Sequence, residues 1–144
     1  MMDLSTGRLQ QLRVALENDS TVAAAYLFGS QARGTATGAS DLDIGILFHS
    51  GIEASRHFDL RLQLITRIMA VLKTENVDVV VLNDSTLYLT HEVVSHGKLL
   101  LEKDHRQRAA FEADRVGRFL DFKPFLAVQV RAVKEHLSKG TYFD

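Results

Sequence analysis

Two aspartates set two residues apart, Asp41 and Asp43 in the run DLDIGILF, are the residues of this chain best placed to do chemistry. On a strand, side chains at i and i+2 leave the same face, so both carboxylates project together. Carboxylates that close repel each other unless positive charge lies between them. A divalent cation with hard oxygen ligands answers this, and Mg²⁺ needs few protein carboxylates when a phosphate supplies further oxygens. Asp78 interrupts an otherwise apolar run, NVDVVVL, where an unpaired carboxylate is costly. Gly29–Ser30, at the end of a short apolar segment, offers the complementary half: a glycine turn whose amides and hydroxyl can point at phosphate oxygens. Arg33 lies close enough to pair with a triphosphate. The glycine turn is neither a P-loop nor a dinucleotide fingerprint, since no GK[ST] and no GxGxxG follows.

The elements that must hold these residues can be read from periodicity. Residues 4–17 are expected as a helix with Leu9, Leu12 and Leu16 on one face and Ser5 as a possible cap. Residues 22–28 are expected as a buried strand. The stretch 29–40 has no bulky apolar residue and therefore no core role. From Asp41 an alternating strand follows, with Leu42, Ile44, Ile46 and Phe48 on its apolar face. Residues 53–73 read as the longest helix, its core face marked by Phe58, Leu62, Ile65, Met69 and Leu72 and widened by Leu60, Leu64 and Val71. Residues 76–82 read as a strand buried on both sides.

A helix of this length between two strands is the connection of a parallel pair. It brings Asp41, Asp43 and Asp78 to one edge of a sheet, where three carboxylates suit metal-dependent phosphoryl or nucleotidyl transfer. Beyond them come a short helix at 86–95, a brief strand after Gly97, a helix at 104–121, and a second helix at 125–139 with Pro124 in its first turn and Gly140 as its cap.

The combined pattern GSQARGTATGASDLDIGIL followed by VDVVVL resembles the minimal nucleotidyltransferases of the DNA polymerase beta superfamily. The resemblance covers residues 22–82. It implies an α/β nucleotidyltransferase fold, a mixed sheet flanked by helices, with a core at 1–103 and a C-terminal helical extension at 104–144 packed on the same domain. It implies that Gly29 and Ser30 grip the nucleotide, that Asp41, Asp43 and Asp78 bind two Mg²⁺ ions, and that Asp78 also helps deprotonate the attacking hydroxyl. Arg33 and Ser40 match the fuller GSxARG…SD form. The shortness of the chain and its GKLLLEKD segment further resemble MNT-type antitoxins. That likeness implies ATP as substrate and a HEPN-domain RNase toxin as partner, with AMP transferred to a toxin tyrosine. Three alternatives stay open: an adenylyltransferase for a small molecule such as an aminoglycoside, an antitoxin that acts purely by binding, and a structural or regulatory ATP-binding module.

Composition agrees with this reading. The 144 residues suffice for one core, and with 46% apolar and 24% charged residues the chain is not a disordered tail. Absence of cysteine removes disulfides, iron–sulfur sites and a Cys nucleophile. The six histidines lack HxH or HxxxH spacing, which leaves no zinc signature. A net charge of -1 speaks against bulk nucleic-acid binding. The opening residues lack the apolar segment of a secretory signal and no run is long enough for a membrane span, so a cytoplasmic setting is expected, as a monomer or as a homo- or hetero-oligomer. Arg131 and His136 match the Arg-x4-His spacing of HEPN RNases, but one helix after an α/β body is no HEPN bundle. Arg106, Arg108, Arg115 and Arg118 are expected on a face that docks the partner.

Overall fold

A computed structural model describes residues 6–29 and 41–139, with backbone only at 126, 127, 130, 133 and 136–139. The elements run α1 (Thr6–Glu17), β1 (Val22–Phe28), β2 (Leu42–Phe48), α2 (His57–Leu72), β3 (Val77–Val81), α3 (Leu87–His96), β4 (Lys98–Glu102) and α4 (His105–Lys139). Single turns of 3₁₀ helix at Ala54–Arg56 and Leu82–Asp84 join α2 and α3 to what precedes them. Ser5 and Gly140, expected as caps, lie outside the described residues. Among the described residues no helix is long and apolar enough to cross a membrane.

The four strands form a mixed sheet in the order β3-β2-β1-β4. β2 and β3 are parallel, as their long helical connection demands, while β1 is antiparallel to both β2 and β4. Alternation along β2 sends Leu42, Ile44, Ile46 and Phe48 to one face, against Leu12 and Leu16 of α1 and Leu60, Leu64 and Ile68 of α2. Leu47 goes to the other face with Tyr26, Leu82 and Val93, under α3 and α4. Gly45 lets α3 approach on that side: a Cβ there would stand 3.2 Å from Val93 Cγ1 and 3.4 Å from Leu82.

Three expectations need correction. α2 buries Leu60, Leu64, Ile68 and Leu72, with His57 at its start, while Phe58 is 65% and Leu62 43% exposed. The helix is rotated away from the broader apolar face that periodicity marks, because its inward side is chosen by the sheet it must cover. β3 is an edge strand, and of its five residues only Val79 is fully buried. Residues 105–139 form one helix that runs through Pro124 without a break. Proline removes one helical N–H and leaves the carbonyl four residues earlier without its bond. Leu120 to Phe125 are all exposed, so water can take that carbonyl.

Arg108 also departs from the expected docking face. It turns inward, donating from Nη1 to Glu112 Oε1 at 2.8 Å and pairing through Nε with Glu102 Oε2 at 3.4 Å, while Tyr26 Oη donates to the same Glu112. Arg115 lies over the Phe111 ring, 4.9 Å from its centre. Arg106 and Arg118 remain exposed.

Candidate functional site

Strand register places the aspartates. Asp43 of β2 stands directly beside Asp78 of β3, both as second residues of parallel strands. Side chains in register on adjacent parallel strands share a face, one strand spacing apart, and here it is the face covered by α3. Phe28, the last residue of β1, is the antiparallel partner of Asp43, so Gly29 follows at the same edge. Gly29 has φ +72°, in the left-handed region that a side chain disfavours. A Cβ on it would collide with Asp43 Oδ2 and lie 3.2 Å from Asp43 Cγ. The glycine is thus required twice, by its own backbone and by the carboxylate resting against it. Asp41 immediately precedes β2 and is exposed. Ser30, Arg33 and Ser40 lie outside the described residues.

The charge of Asp78 is met by a residue that no sequence motif signalled. Arg61, in the second turn of α2, donates from Nη2 to Asp78 Oδ1 at 3.1 Å and from Nε to the Val79 carbonyl at 2.6 Å. Beside them an open groove of about 520 Å³ runs along the free edge of β3, between Phe58 and Arg61 on one side and Ser85 and Leu89 on the other. His57 sits at its base, stacked on Phe48 with ring centres 5.3 Å apart and with Nδ1 2.7 Å from Asp84 Oδ2. A histidine at the start of a helix shows nothing in sequence that distinguishes it from a core residue.

The donor set suits a hard cation. Asp43 and Asp78 offer carboxylate oxygens in register, and Asp41 stands one residue before the strand. Mg²⁺ is held by one or two carboxylates together with phosphate oxygens, so a pair of adjacent aspartates beside a glycine turn fits it. Among the described residues, no group of three or more His, Cys, Asp or Glu side chains is gathered closely enough to ligate a metal without such help.

Comparison with known proteins agrees with this geometry. The family model described as "Polymerase beta, Nucleotidyltransferase" matches residues 10–106, well over half of the chain. Comparison with curated protein sequences gives no match. Among solved structures, a toxin–antitoxin crystal structure with AMP-PNP superimposes with a TM-score of 0.70 at 23% identity, over 91% of this chain and 99% of the other. The tri-AMPylated Shewanella oneidensis HEPN toxin in complex with MNT antitoxin gives 0.68 at 20% identity, over 90% and 98%. The MntA-HepT toxin-antitoxin gives 0.68 at 20% identity, over 90% and 99%. At such identities the likeness is one of fold, and it extends over nearly the full length of each chain.

Proposed function

The chain belongs to the polymerase beta nucleotidyltransferase family, and on that footing we propose that it transfers AMP from ATP to a tyrosine hydroxyl of a HEPN-domain RNase toxin, silencing it as an antitoxin. The observation that carries the reading is the register of Asp43 with Asp78 beside the left-handed Gly29, at one edge of the sheet. The toxin as acceptor draws on the fold shared with toxin–antitoxin structures, one of which holds an AMPylated HEPN toxin. ATP as donor fits a cytoplasmic setting.

Asp41, Asp43 and Asp78 would hold Mg²⁺, two ions by family resemblance. When bound, Mg²⁺ neutralises phosphate charge and stabilises the oxygens that gain charge during the displacement. Gly29 and Ser30 would offer an amide and a hydroxyl to the phosphates and Arg33 would pair with the triphosphate, with Ser40 assigned to the nucleotide site by its place in the motif. Asp78 orients the tyrosine hydroxyl and accepts its proton as the oxygen attacks. The new bond joins that oxygen to the α-phosphorus. The bond from the α-phosphorus to the bridging oxygen breaks, and pyrophosphate leaves with the electron pair.

Incubation with ATP, Mg²⁺ and a HEPN-domain protein as acceptor, the neighbouring gene product being the first to try, followed by intact mass measurement, tests the proposal. The HEPN protein gains one or more AMP units with the native chain and none with Asp41→Asn/Asp43→Asn. Equal transfer by that variant refutes the assignment.

A further inference from the structure

We propose that Arg61 is a positioning residue for Asp78, a role that rests on reading Asp78 as the carboxylate that meets the acceptor hydroxyl. β3 is the open edge of the sheet, and its neighbour fixes which backbone groups face outward. Leu42 N–H donates to the Asn76 carbonyl at 2.7 Å, so residues 76, 78 and 80 turn their backbone groups toward β2. Residue 79 turns its groups away, and its carbonyl is the one that Arg61 Nε engages at 2.6 Å. Nε–H and Nη2–H lie on one edge of a planar guanidinium. With Nε anchored on a strand carbonyl, the direction from which Nη2 meets Asp78 Oδ1 is fixed by bonded geometry.

The value of this arrangement lies in orientation more than in attraction. The Asp78 side chain is 49% and the Arg61 side chain 33% exposed, so solvent screens most of the Coulomb energy. A half-exposed aspartate on an edge strand has a broad terminal torsion. Holding one oxygen removes that freedom and leaves Oδ2 for the reaction. The guanidinium also places positive charge next to the Asp78 carboxylate. Lysine keeps the charge but cannot reproduce the two-pronged geometry.

The test uses the full chain with Arg61→Met and Arg61→Lys, and Asp78→Asn as reference. AMP transfer to the HEPN protein is measured beside thermal melting with and without Mg²⁺ and ATP. Arg61→Met is expected to lower kcat about 10- to 100-fold, the range seen when a partner that orients a metal-site carboxylate is lost. Its KM for ATP stays within about twofold of native, since Asp41, Asp43 and the Gly29 turn that meet the donor phosphates are untouched. Arg61→Lys recovers part of the loss. Native kcat in Arg61→Met overturns the proposal, and so does a loss accounted for by unfolded protein or by a raised KM. Native turnover in Asp78→Asn overturns the reading of Asp78 itself. An inactive Asp78→Asn beside a fully active Arg61→Met overturns the positioning role alone.

Discussion

Gly29 shows how one residue couples backbone strain to the candidate site. Its φ of +72° costs a residue with a Cβ about 1–2 kcal/mol. The collision of that Cβ with Asp43 Oδ2 adds a second penalty, which strain alone does not predict. Relief requires the Asp43 carboxylate to leave its place against Gly29, so the damage falls on activity as well as on folding. Gly29→Ala is therefore expected to lose more than strain alone costs, about 2–3 kcal/mol in urea unfolding. It should also lose AMP transfer beyond what the fraction of folded protein explains. A variant less stable but equally active per folded molecule would show that Asp43 tolerates the displacement.

At the scale of elements, the turn between α1 and β1 is tied to α2 by Asp19. Burial pulls the Asp19 pKa upward, but the Thr21 hydroxyl and amide and the Arg67 guanidinium outweigh it, and the net shift is downward. Thr21 N–H donates to Oδ1 at 3.0 Å and Arg67 Nη1 to Oδ2 at 2.9 Å. A carboxyl whose folded pKa lies below its unfolded value stabilises fully above the unfolded value, about 3.9, and loses that contribution as pH falls through the folded one. Asp19→Asn should cost about 1–2 kcal/mol at neutral pH, by analogy with charged hydrogen bonds. The gap to the native chain should narrow in unfolding curves as pH falls below about 3.9 and through the lower folded-state value. A gap independent of pH would assign the loss to packing.

The same scale shows what was legible beforehand. Asp43 and Asp78 could be paired from sequence because a helix between two strands permits essentially one handedness of crossover. The inward face of α2 was legible in part: Leu60, Leu64 and Leu72 belong to the broad apolar face that periodicity marks and are buried, whereas Phe58 and Leu62 are exposed and Ile68 is buried instead. The continuity of α4 through Pro124 was hidden: proline's local preference was read as a boundary, while solvent exposure of the turn lowers its cost. Arg61 left no trace in the sequence because its partners, Asp78 and Val79, lie far along the chain and are brought close by the fold alone.

At the scale of the molecule, α4 is the element most in need of an anchor. Its 35 residues extend about 50 Å at 1.5 Å per residue, and beyond Phe119 every described side chain is exposed. The part that meets the sheet does so through Phe111 and the polar cluster of Tyr26, Arg108, Glu112 and Glu102, while Phe119 stacks on His91 of α3 with ring centres 4.0 Å apart. Burial and the hydrogen-bonded Glu112 carboxylate raise the Tyr26 pKa, keeping the phenol neutral. For Arg108, burial acts to lower the pKa, but Glu112, Tyr26 and Glu102 outweigh it and the net shift is upward. Removing the arginine leaves Glu112 to the Tyr26 hydroxyl and Glu102 to His105 without the guanidinium charge between them, a loss larger than that of a surface ion pair. Arg108→Met should cost about 2–3 kcal/mol, a fall in Tm of roughly 10 °C for a chain of this size. The exposed Arg118, paired among the described residues with Asp114 on its own helix, should change to Met with little effect on Tm. Amide exchange should quicken along residues 105–119 in the Arg108 variant while β2 and β3 keep their protection. Equal melting of the two variants would mean that the apolar contacts of Phe111 and Phe119 hold α4 without the polar cluster.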